Sequence, residues 1–141
     1  SVMPVHLKKL SVGSASFEAL QEWQNSRVAA NMPLMHVTRN RPRRADEILA
    51  GGSIYWIIKG VMCARQPIIE LREVTRADGR PACGIVLAPD LVKVEPTRMR
   101  IFQGWRYLDE QNAPRDVLVS EEDGQEMPPA LVAELRELGL L

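Results

Sequence analysis

Only two cysteines occur in the 141 residues, Cys63 and Cys83, and they stand twenty positions apart with no CxxC. A disulfide framework needs denser spacing, so none is expected, and a reducing, cytoplasmic compartment is the simpler reading. Both cysteines read as small buried hydrophobes on strands. No apolar run approaches the ~18 residues of a membrane span, and the longest, such as Ile54 to Ile58, are strand-sized. Ser1 to Leu10 sets Lys8 and Lys9 between short apolar pieces and has no apolar h-region, so neither a secretory signal nor a membrane partner is expected. The two histidines, His6 and His36, do not combine with the cysteines in the paired spacing that zinc ligands use. A cysteine and a histidine without a local signature also make a weak case for a nucleophile. No metal or other cofactor is expected. Internal repeats and low-complexity segments are missing too.

What is present fits one domain. A chain of this length buries enough surface to hold a core without staples. Its 45% apolar and 26% charged residues are ordinary for a globular protein. The net charge of zero hides a split. Residues 1–35 carry three basic and two acidic side chains, residues 36–108 thirteen and seven, and residues 109–141 two and nine. Such asymmetry fits a basic working face with an acidic tail, or equally a tail that folds back and neutralises the body.

The periodicities predict an α+β domain spanning 1–141, with a core over 1–108. Val5 to Leu10 alternates as a strand. Residues 16–30 form a helix, with serine caps at Ser14 or Ser16 and with Phe17, Leu20, Trp23 and Val28 on its apolar side. Leu34 to Arg39 is a second strand, and Pro42 opens a short helix that Gly51-Gly52 ends. Ser53 to Lys59 is a central strand covered on both faces. Val61 to Glu73 is a long or bent strand in which Pro67 marks an edge or bulge. Asp78-Gly79 turns a hairpin into a strand bearing Cys83, Ile85 and Leu87. Leu91 to Val94 and Gly104 to Leu108 complete the strands. Residues 109–127 read as an exposed acidic loop. Residues 129–138 read as a final helix with Leu131, Leu135 and Leu138 on one side and Gly139 as its cap. Hairpin connections imply mostly antiparallel pairing, and a sheet of this many strands tends to curl into a barrel.

The chain as a whole resembles an uncharacterised bacterial domain family with no assigned activity. The resemblance is carried by His36-Val37-Thr38-Arg39, by Gly51-Gly52-Ser53-Ile54-Tyr55-Trp56-Ile57-Ile58-Lys59-Gly60, by Ala64-Arg65-Gln66 and by Phe102-Gln103-Gly104-Trp105-Arg106-Tyr107-Leu108. The ending Glu134 to Leu141 looks like it as well. Over residues 34–108 the chain also resembles the pseudouridine-synthase-and-archaeosine-transglycosylase (PUA)-like barrels, including the ASCH and EVE branches. There a short helix ending in Ile-Leu-x-Gly leads straight into a barrel strand, as Ile48-Leu49-Ala50-Gly51 leads to Ser53 here. This resemblance implies a PUA-like, mostly antiparallel barrel or strongly curled sheet with short flanking helices, and binding of RNA or a modified base. ASCH members often carry a lysine just after that glycine. Ser53 and Ile54 stand there instead, so no catalytic residue is carried over.

Two groups of residues suggest a nucleic-acid site. Arg39, Arg41, Arg43 and Arg44 put four guanidinium groups within six positions, and phosphates are held by such concentrated charge. The alternative is a solvated face paired with Asp46, Glu47 or the acidic tail. Tyr55, with Gln103, Trp105 and Arg106, offers rings on which bases stack, and Lys59 and Arg65 lie near them in sequence. The alternative is that Trp56 and Trp105 fill the core. The leading expectation is a domain that binds RNA or a modified nucleotide in one basic, aromatic-lined cleft. Two others stand beside it. One is a small nucleoside or amide hydrolase built on Thr38, Lys59 and Glu70. The other is a protein-interaction module using the acidic loop and the last helix. Composition does not fix the oligomeric state.

Overall fold

The computed structural model describes residues 3–117, 134 and 137–139. Within residues 3–117, seven strands and two α-helices follow in the order β1 (Val5–Leu10), α1 (Phe17–Ala29), β2 (Met35–Thr38), α2 (Ala45–Leu49), β3 (Ser53–Ile58), β4 (Val61–Thr75), β5 (Pro81–Leu87), β6 (Val92–Arg98) and β7 (Trp105–Asp109). The strand order is β2-β5-β4-β3-β1-β7, with β6 also on β4. The sheet is mixed and curled, and it does not close. Of the two expected forms, a barrel or a strongly curled sheet, the α+β curled sheet with short flanking helices is the one that forms. Closure fails because β2 and β7, the two ends of the order, are not partners.

Local chemistry explains most elements. The Ser16 hydroxyl caps α1 by accepting from the Ala19 amide at 3.1 Å. At the α2–β3 junction the Gly52 amide donates to the Ile48 carbonyl at 2.7 Å. A β-carbon at Gly52 would run into the carbonyls of Val5 and Ile48, so glycine is needed there. Lys59 and Gly60 both take positive φ, 50° and 78°, which makes a tight hairpin between β3 and β4. The Asp78-Gly79 hairpin forms as expected, with Gly79 at φ 83°. Strand β4 is long because it serves three partners: β3 from Val61 to Pro67, β6 from Val61 to Arg65 and β5 from Ile68 to Thr75. Its pairing register shifts between Met62 and Ala64 and between Ile68 and Glu70, on either side of Pro67.

All six residues of β3 are buried, as a strand covered on both faces requires. Ile54, Trp56 and Ile58 join the larger core with Leu7, Phe17, Leu20, Ile48 and Ile85. Tyr55 and Ile57 join a smaller core with Met62, Val94 and Leu108 on the other side. Cys63 and Cys83 are both free and buried, and burial pushes the Cys63 thiol up to about 11.

Pairing is mostly antiparallel, as expected; the exception is β1 with β3, which pair in parallel from Leu7 with Ile54 to Leu10 with Ile57. Two expectations need correction. Helix α1 buries Phe17, Leu20 and Gln24, while Trp23 and Val28 are exposed. Residues 109–117 are more ordered than a loop: Glu110–Asn112 form a 3-10 turn and Asp116 bridges Val94. The rest of the acidic loop and most of the C-terminal helix lie outside the described residues. Glu134 and Glu137 are helical, and Gly139 has the positive φ of a helix cap, 73°.

Candidate functional site

Cross-strand partners share a sheet face, and neighbours along a strand do not. That rule sorts the aromatic and basic residues of β1, β3 and β7 into two sets. Lys9 pairs with Trp56 on one side and with Trp105 on the other. Leu7 pairs in the same way with Ile54 and Tyr107. These rows share the face of the larger core. Lys8, Tyr55 and Arg106 form the intervening row, on the opposite face.

On the first face the rings and cations make a continuous line. The Arg44 guanidinium lies over the Tyr107 ring at 5.4 Å, and its backbone amide donates to the Tyr107 hydroxyl at 3.1 Å. Tyr107 meets Trp105 edge to face at 5.0 Å. Lys9 lies between Trp105 and Trp56 in the register, and burial lowers its pKa. Trp56 meets His36 edge to face at 6.0 Å. Burial first, and the charge of Lys9 second, hold His36 down to about 4, so its ring is neutral at pH 7.

His36 and Trp56 both line a cavity of about 470 Å³, within the size range of small-molecule sites. Trp23 and Gln24 of α1, Leu87 of β5 and the loop 11–14 supply other parts of the wall. Among the described residues no Asp, Glu, Lys or Arg lines it. Trp23 is held from outside by Arg27, whose guanidinium stacks on it at 5.0 Å. The sequence reading missed Gln24 and Trp23 as wall residues. A polar residue at the third of the positions Phe17, Leu20 and Gln24, spaced like the buried face of a helix, was the available signal.

The opposite face carries a separate set of bonded groups. Tyr55 is 4% exposed, and burial pushes its hydroxyl up to about 12. His6 packs edge to face on it at 5.1 Å. The His6 Nδ1 accepts from the Ser53 amide at 2.9 Å, so the proton sits on Nε2, which donates to Glu110. Arg65 forks onto Asp116 with bonds of 2.6 and 2.8 Å and reaches the Ser53 hydroxyl at 3.1 Å. Arg106 and Lys8 lie over the Phe102 ring at 5.1 and 5.8 Å.

The predicted residues thus divide. Arg44 and Trp105 stand together on the cavity face. Arg44 is also tied to Glu47 and sits 3.7 Å from Asp109. Arg41 donates to the Leu71 carbonyl at 3.0 Å. Arg39 and Arg43 are exposed, with no hydrogen bond or ion pair among the described residues. Tyr55, Arg65 and Arg106 belong to the other face, so a single cleft holding all of them is corrected. Tyr55 cannot stack a ligand because the smaller core covers it. Gln103 is exposed in the loop before β7, and Lys59 is exposed in the β3–β4 turn. Trp56 is core, as its alternative reading held, with one edge on the cavity. The hydrolase trio is dispersed: Thr38 is on β2, Lys59 in the turn, and Glu70 on the far half of β4 bonded to Arg72. Among the described residues no three His, Cys, Asp or Glu side chains gather as metal ligands.

A family model described as a protein of unknown function (DUF1489) matches residues 7–141. The chain belongs to this family. The DUF1489 match takes in α1, β2, the turn into β3 and β7, and therefore both faces of the sheet. No curated protein and no solved structure matches the chain. Among the described residues no helix of this DUF1489 chain is long and apolar enough to cross a membrane.

Proposed function

We propose that this chain binds RNA or a modified nucleotide on the cavity face. One observation carries the reading: the line Arg44, Tyr107, Trp105, Lys9, Trp56, His36 leads from an exposed basic loop into a cavity. Rings beside cations are what unstacked bases and their phosphates require, and each stacked base is worth about 1–3 kcal/mol. Trp105 is the stacking platform, Arg39 and Arg43 take phosphate, and a base enters the cavity against Trp56 and His36. Arg44 contributes mainly by holding Tyr107, since carboxylates already occupy its guanidinium. A PUA-like relationship and a cytoplasmic setting belong to the same proposal. The short helix α2, Gly51-Gly52 and β3 follow one another in the PUA-like order, although the sheet stays open.

Fluorescence titration with a labelled short single-stranded RNA tests this. Binding is expected with Kd on the order of tens of micromolar or tighter at low salt, weakening as salt rises, because phosphate contacts release counterions. No binding of RNA or single-stranded DNA at such concentrations overturns the reading.

A further inference from the structure

Two buried carboxamides sit beneath the cavity, and their hydrogen bonds can be fully accounted for. The Trp56 indole Nε1–H can only donate, and it bonds to the Gln66 oxygen at 3.2 Å. The Ala88 carbonyl can only accept, and it takes the Gln66 nitrogen at 2.7 Å. These two bonds fix which end of the Gln66 amide is which. Gln66 and Gln24 then bond reciprocally, nitrogen to oxygen both ways, at 2.8 Å each. Gln66, fully buried, has used both N–H groups and both lone pairs. Gln24 has used one of each. Flipping the Gln24 amide would set oxygen against oxygen and N–H against N–H, so its orientation is fixed too. Gln24 is 5% exposed and lines the cavity, with one N–H and one lone pair unclaimed among the described residues. A cavity occupant that pairs with them exchanges their bonds to water for direct ones, and one that cannot pair leaves them unsatisfied. Among the described residues the wall carries no charged side chain to receive a phosphate or carboxylate.

We infer that Gln24 is a specificity-determining residue that reads an uncharged nucleobase in this cavity, with Gln66 as the positioning residue that fixes its amide. The inference rests on the nucleic-acid reading and deepens it. The edge that Gln24 shares with Gln66 is consumed, so its contacts to the base are two single bonds and not a bidentate grip. The base enters the cavity and the phosphate stays outside, towards Lys9 and the exposed arginines.

The experiment titrates the protein with the four ribonucleoside monophosphates, ribose 5-phosphate and inorganic phosphate, reading both affinity and the side-chain amide NMR signal of Gln24. One base is expected to be preferred by about tenfold, the worth of one good hydrogen bond. Ribose 5-phosphate is expected to bind at least about tenfold more weakly than that nucleotide. The Gln24 amide signal shifts with the nucleotide and not with phosphate. Gln24→Leu levels the base preference, and Gln66→Met moves it the same way while the base itself loses no direct contact. If the leucine variant does not fold, the wild-type amide signal still decides. An unmoved Gln24 signal, or an unchanged ranking in folded Gln24→Leu, overturns the inference while RNA binding stands. Absence of any nucleotide or RNA binding overturns both.

Discussion

Tyr55 and Trp56 are adjacent in β3 and both buried, yet they belong to opposite worlds. On the Tyr55 side, His6 bonds to Ser53 and Glu110, and Arg65 bonds to Asp116 and Ser53. Around Trp56 the pairing stops short. His36 is neutral at the wall, Gln24 is half-used, and a cavity of about 470 Å³ remains. One face ties its carboxylates and His6 into protein bonds, and on the other Gln24 keeps one N–H and one lone pair unclaimed among the described residues. Polar residues near one another in sequence are therefore no guide to function until the faces are separated.

The contrast predicts opposite consequences for mutations on the two faces. The largest effect is expected from Tyr55→Ala. Emptying an aromatic site in the smaller core should cost about 3–5 kcal/mol in chemical denaturation, with RNA affinity unchanged for the molecules still folded. An affinity loss in folded Tyr55→Ala would break the division. Next comes pH. The folded His36 takes its proton near 4 and the unfolded ring near the ordinary 6.5, so the unfolded state binds more protons in between. Stability is then full above about pH 6.5 and falls as pH drops towards 4, by up to about 3 kcal/mol undiscounted, which solvent screening at the half-buried ring reduces to on the order of 2 kcal/mol. His36→Gln should flatten that part of the curve, measured by denaturant midpoint against pH.

Trp105→Ala should weaken RNA binding about tenfold, roughly 1.4 kcal/mol, with a small change in melting temperature because the ring is only partly buried. The smallest effect belongs to the Arg65–Asp116 pair. Arg65 beside it holds the Asp116 carboxyl below its usual range, so the pair stabilises at neutral pH and is lost as pH falls through the acid range. Both groups are partly exposed, so Asp116→Asn should cost under about 1 kcal/mol and leave RNA binding alone.

The sequence made the strands legible where chemistry is local. Ile54 to Ile58 reads as a doubly covered strand from its unbroken apolar run, Ser16 reads as a cap, and Asp78-Gly79 reads as a hairpin. The parallel pairing of β1 with β3 was not legible, because it joins segments far apart in the chain and leaves no periodic trace in either. Half of the site was misplaced for a simpler reason. Trp105 and Arg106 were grouped by adjacency, whereas a strand sends neighbours to opposite faces. Applying that period to β7 and β3 would have parted Trp105 from Arg106 and Trp56 from Tyr55. The cavity itself was hidden, since Gln24 and Gln66 meet only through the tertiary fold.

Binding on the cavity face can be read directly from the three tryptophan indole N–H signals, Trp23, Trp56 and Trp105, in an NMR titration with short single-stranded RNA. Large shifts at Trp105 and Trp23, with the Tyr55 ring and the Arg106 side chain unmoved, are the predicted result. Shifts confined to Arg106, Lys8 and Phe102 would place the ligand on the Tyr55 face and contradict the account.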